Sequence, residues 1–134
     1  MHNQIVGYMK DTMSVVRREQ FLTNWSSQAR KGLLELIVMS ALTTREHYGY
    51  ELVEHIVTRS GVEVSDGTLY AILTRLKAEG LVRTRWETAE RGPARKYYAL
   101  THEGRAVLAE MRRLWADIAH GVSAVLQAGG KGSV

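Results

Sequence analysis

A mainly α-helical fold carrying one small β-hairpin is what the sequence predicts, on three observations. Apolar residues recur at helical spacing through most of the chain, most clearly at Leu69, Ile72, Leu73 and Leu76. Only the stretch from Val82 to Leu100 changes to period two, on either side of the turn-forming run Arg91, Gly92, Pro93. The last long segment then repeats every seven residues. A chain of 134 residues is long enough to bury one hydrophobic core and too short for two independent domains.

Each element follows from its residues. Ile5, Met9, Met13 and Val16 form a helical stripe with a weak point at Gly7, so residues 1–25 are expected to be a helical arm. Asn24, Ser26 and Ser27 are cap candidates for a second helix, in which Leu33, Leu34, Leu36, Ile37, Val38, Met39, Ala41 and Leu42 cover most faces. Such a helix belongs near the centre of a core. Leu52, Val53, Ile56 and Val57 mark the next helix, and Gly61 suits its end. Ser65 and Asp66 open the one after it, and Gly80 stands where the left-handed residue past a helix is expected. Two alternating strands around a loop complete the order of a winged helix-turn-helix, assigned to residues 26–101.

Beyond it, Leu108, Met111, Trp115, Ile118, Val122 and Val125 are spaced three, four, three, four and three residues apart. A 3.5-residue period keeps one seam facing a partner, so 102–128 is expected to be a dimerisation helix that pairs two copies, with the arm lying across the partner's long helix. Gly121 interrupts the seam, at a cost of about 1 kcal/mol relative to Ala. The tail GGKGSV, 129–134, reads as disordered.

Composition excludes several classes of function. There is no cysteine, and so no disulfide scaffold, thiolate zinc site or iron–sulfur cluster. The longest apolar run contains Glu35 and falls well short of the ~20 residues that span a bilayer. Arg17 and Arg18 are followed by polar residues where an export signal needs an apolar region, and a cytoplasmic location is expected. No phosphate-binding glycine loop or nucleophile elbow occurs. His102 and Glu103 lack the second histidine of a zinc protease, and the helical neighbours Glu51 and His55 suit a surface hydrogen bond. No enzyme, metal or cofactor is expected.

The charge pattern points to nucleic acid. Lys and Arg outnumber Asp and Glu by 18 to 14, and Arg83, Arg85, Arg91, Arg95 and Lys96 crowd the hairpin. A thin basic finger with Gly92 and Pro93 near its tip suits a groove lined by phosphates. On the preceding helix Thr68, Ala71, Thr74, Arg75 and Lys77 lie away from the apolar stripe, small and basic enough to enter a major groove, with Ser65 at the same helix start. A winged helix whose basic hairpin grips an acidic protein is the alternative, an adaptor in place of a regulator.

Three segments in order, GYELVEHI, SDGTLYAILTRLKAEGLV and RGPARKYYALTHEGR, resemble the PadR family of bacterial transcription regulators over residues 33 to about 105. The resemblance implies dimeric winged-helix proteins, mostly repressors, that bind near-palindromic operators on double-stranded DNA and are often released by a small molecule. It also implies that Tyr50 and Tyr70 contact phosphates. The chain departs from the family pattern at Tyr48, in having no proline before the reading helix, and in GPARK, where Arg91 takes over for a missing wing arginine. Its short C-terminal region resembles the subfamily in which some members bind aromatic molecules at an interface tryptophan. Trp115, at the centre of the seam, is thus either an aromatic anchor or, with Met111 and Ile118, one wall of a slot for a planar aromatic effector. Trp25 and Trp86 either line that slot or cover core edges. One of Tyr97 and Tyr98 should face the core and the other the opposite side of the wing.

Overall fold

The computed structural model describes the backbone of residues 2–130 and the side chains of residues 14–129. Its elements are α1 (His2–Ala41), β1 (His47–Tyr48), α2 (Gly49–Ser60), α3 (Asp66–Ala78), β2 (Val82–Glu87), β3 (Arg95–Leu100) and α4 (His102–Gly130). Residues through Leu34 form one compact unit and residues from Glu35 a second.

The first difference from expectation lies in α1. No helix starts at Asn24, Ser26 or Ser27; one helix runs through all three, and the Asn24 carboxamide oxygen accepts from Gln20 Nε2 at 3.3 Å. Asn and Ser inside a helix cost only about 0.5 kcal/mol each, and nothing in TNWSS breaks the backbone pattern as Pro would. Ile5, Met9 and Met13 lie outside the described side chains, and Val16 is exposed.

In the second unit the core forms between α1, α2, α3 and the sheet. Val38, Met39 and Leu42, Leu52 and Ile56 of α2, Leu69, Leu73 and Leu76 of α3, and Val82, Tyr98 and Leu100 of the strands are all buried. Fully burying one such aliphatic side chain contributes about 1.5–3 kcal/mol. Val57, read as part of the α2 stripe, stays exposed at its edge.

Both turn helices end as their glycines require. Gly61, at φ 69°, closes α2 by donating its N–H to the Val57 carbonyl at 2.9 Å. Gly80, at φ 77°, donates to Lys77 O and Leu81 donates to Leu76 O, the paired bonds of a Schellman stop. The Leu81 carbonyl then accepts from Thr101 N at 3.0 Å, while Thr101 Oγ1 donates to Gly80 O at 2.7 Å and accepts from Gly104 N at 2.9 Å. Thr101 is therefore the cap of α4 and ties it to the end of α3. Gly104 completes this joint, because a Cβ there would stand 2.0 Å from the Leu81 carbonyl oxygen.

The sheet has three strands, not two, in the order β1-β3-β2. β3 pairs antiparallel with β2 from Val82↔Leu100 to Glu87↔Arg95, and with β1 through His47↔Tyr98 and Tyr48↔Tyr97. Two residues are too short to show a period, which hid β1 in the sequence. Tyr98 packs inward and Tyr97 lies on the opposite face of the sheet.

α4 runs past the expected end at residue 128 to Gly130, and residues 131–134 of the expected tail lie outside the described residues. The seam expectation needs one correction. Leu108 is 2% exposed, packed into its own chain's core at the start of the helix, so it cannot face a partner. Beyond it Leu114, Trp115, Ile118, Val122, Val125 and Leu126 are exposed. No helix among the described residues is long and apolar enough to cross a membrane.

Candidate nucleic-acid interface

With Leu69, Leu73 and Leu76 facing the core, the helical period puts Gly67, Ala71, Thr74 and Ala78 on the opposite side of α3, all exposed. This strip is narrow because its side chains are small. The α3 start is capped by Ser65, whose Oγ accepts from Thr68 N at 3.2 Å and donates to Thr68 Oγ1 at 2.9 Å. Thr74 Oγ1 donates to the Tyr70 carbonyl one turn back at 2.7 Å, which leaves its methyl group and lone pairs directed outward.

The two flanks of the strip differ. On one flank Arg75, expected to reach into a groove, is ion-paired with Glu35 of α1, so its guanidinium is already engaged by the fold. On the other flank Tyr70 reaches toward the start of α2, where its Oη occupies the space beside Gly49. A Cβ at Gly49 would stand 2.3 Å from that oxygen. Lys77, in the last turn, complements the negative helix end and forms no ion pair among the described residues.

Between α3, the start of α2 and the wing lies a cavity of about 330 Å³ lined by Tyr50, Tyr70, Trp86, Arg95, Lys96 and Tyr98, among others. Lys96 Nζ sits 5.8 Å from the Trp86 ring centre and 5.7 Å from that of Tyr98, within cation–π range. Arg95 lies 4.6 Å over the Tyr48 ring, so β1 braces the wing cation that stands beside the cavity. Tyr50 is 66% exposed, and the Glu54 carboxylate one turn on raises its phenol above the ordinary range. Trp86 thus lines the groove beside the wing, and Trp25 is exposed in the first unit.

Not every wing cation is available to a ligand. Arg85 Nε donates to both Glu46 carboxylate oxygens at 2.9 Å, and this pairing holds the Glu46 carboxyl below its usual range. Arg83, Arg91, Arg95 and Lys96 form no ion pair among the described residues. Gly92, at φ 94°, makes the loop turn sharply next to Arg91.

The structure therefore brings Tyr50, Tyr70, Arg95 and Lys96 together around one groove, places Ser65, Thr68 and Thr74 on the exposed α3 surface, and sets Arg91 in the exposed loop. It pairs Arg75 with Glu35 at the exposed edge of the same surface. It adds Trp86 and Gly49, which no spacing argument singled out; the GY pair ahead of a helix was the available signal for Gly49. The Trp115, Met111 and Ile118 cluster stands apart on α4, with Trp115 41% exposed and Met111 half-buried. No group of three His, Cys, Asp or Glu among the described residues is arranged to hold a metal.

Residues 38–110 match the Transcriptional regulator PadR-like family. A transcriptional regulator of Mycobacterium tuberculosis is 34% identical over 93 residues, 69% of this chain and 85% of the relative. A PadR family regulator from Eggerthella lenta superposes with a TM-score of 0.76 at 31% identity, covering 83% of this chain and 96% of its own. A PadR-like regulator from Bacillus cereus gives a TM-score of 0.67 at 33% identity, with 75% and 97% covered. The exposed face of α3, the cationic wing and these matches lead to one conclusion: the chain belongs to the PadR-like family of transcriptional regulators.

Proposed function

We propose that two copies of the chain, paired through α4, bind a near-palindromic operator and repress transcription until a small molecule releases them. The observation that carries this reading is the continuity of one exposed surface. Tyr50, Tyr70, Arg95 and Lys96 line one groove, Arg91 stands in the exposed loop beside it, and the exposed small-residue strip lies on the same helix as Tyr70; Arg91, Arg95 and Lys96 form no ion pair among the described residues. In this reading Ala71 and Thr74 meet base edges in the major groove, where a methyl group suits thymine and a lone pair accepts from an amino group. The phenols and wing cations hold phosphates on either side and set the register.

Pairing is supported by the exposed apolar side chains Trp115, Ile118, Val122, Val125 and Leu126, which recur along one helix. A two-fold axis through such a seam puts two copies of α3 against successive major grooves, about 34 Å apart along the duplex. Trp115, flanked by Met111 and Ile118, would then meet its own copy and offer a flat apolar wall to an aromatic effector.

Titration of duplex DNA with salt tests the reading. Binding should weaken steeply, with a log–log slope of about −0.9 for each phosphate neutralised, and persist weakly on random sequence. An adaptor for acidic proteins would bind no duplex at any salt, and that result would end the DNA reading.

A further inference from the structure

We infer that the second unit holds a separate small-molecule site, between the last turns of α1 and the outer side of α2, selective for a carboxylate on an apolar body. A cavity of about 360 Å³ opens there, at the small end of the range of ligand pockets. Leu36, Ile37 and Ala41 from α1 and Ile56 from α2 supply apolar wall. His55 and Arg59 also line it, four residues apart and therefore neighbours on one face of α2.

Three features select the charge of the ligand. No Asp or Glu lines the cavity, so an anion meets no fixed negative charge there. Arg59 forms no ion pair among the described residues, which leaves its planar fork of donors open to two carboxylate oxygens. Ser60 does not compete, since its Oγ already donates to the Ile56 carbonyl at 2.6 Å and accepts from Val62 N at 3.1 Å. The second donor is held in place from behind. The His55 ring packs against the buried His47 ring, centres 5.2 Å apart at 43°, so its imidazole is positioned before any ligand arrives. The site is distinct from the Trp115 cluster on α4 and does not depend on whether the chain binds DNA.

The test is a titration of the full chain with 2-naphthoate and with its uncharged counterpart 2-naphthalenemethanol, followed in amide ¹H–¹⁵N spectra. Naphthoate should give saturable shifts at Ile37, Ala41, His55, Ile56 and Arg59. Arg59→Gln should weaken naphthoate about tenfold, as loss of a charge-assisted bidentate contact does, and leave the carbinol affinity within about twofold. Arg59 is exposed, so the variant should keep the parent spectrum elsewhere. Shifts confined to α4, absence of saturable shifts around α2, or equal naphthoate affinity in parent and variant would each overturn the site.

Discussion

At the scale of single residues, His47 is the clearest departure from what its type prefers. It is 2% exposed, and neither ring nitrogen has a hydrogen-bond partner among the described residues. Burial first, then the charge of Arg45 and the neighbouring His55, lowers its pKa from 6.5, against an opposing pull from Glu51. The folded state thus binds fewer protons here than the unfolded one. This histidine's effect on stability is then absent well above pH 6.5 and grows as a loss when the pH falls below it. Urea unfolding between pH 7.5 and about 5 should show stability declining with acid, and His47→Leu should flatten that decline. An unchanged slope in the variant would assign the acid sensitivity to other groups. None of this could be read from sequence, where His47 is one polar residue between two turns. By contrast, Ser65, Gly61 and Gly80 announced their roles, because caps and left-handed stops depend on local chemistry alone. The ion pair of Arg75 could not be read in the same way, because its partner, Glu35, is 40 positions away in the sequence.

At the scale of elements, the wing and the reading helix should respond differently to substitution. Arg95→Ala removes a cation that stands over Tyr48 beside the groove, so it should weaken binding to every duplex alike and reduce the salt slope by about one unit. Thr74→Ala removes a hydroxyl and a methyl group from the exposed strip of α3, and should cost about 1–3 kcal/mol on some duplexes and little on others. Affinities measured on a panel of duplexes at two salt concentrations would check both, and equal behaviour would contradict the division of labour. The joint between α3 and α4 makes a stability prediction. Gly104→Ala pushes a methyl group into the Leu81 carbonyl and should cost about 1–3 kcal/mol, read as a lower urea midpoint with unchanged m-value. The order of α2, α3 and the hairpin was legible because each carries its own period and its own stop. The division of α1 was not, since TNWSS has cap residues with no break in the backbone, and propensity at four positions is too weak to end a helix.

At the scale of the whole molecule, family membership and the winged-helix order were both readable from three ordered segments. The seven-residue repeat of α4 was also readable, but its first position belonged to the chain's own core. Leu108 shares the spacing of the seam because core-facing and partner-facing stripes on one helix obey the same period. The remaining positions predict that Ile118→Glu with Val125→Glu, both on exposed residues, leaves the fold intact and halves the mass measured by light scattering. A parent chain that already runs as a single copy would contradict pairing through α4. Selection of bound duplexes from a random pool bears most directly on the central claim, that paired copies lay α3 and the wing against DNA. The account predicts an enriched near-palindrome whose half-site centres lie about 10 base pairs apart; recovery of no preferred sequence, or of one unpaired half-site, would contradict it.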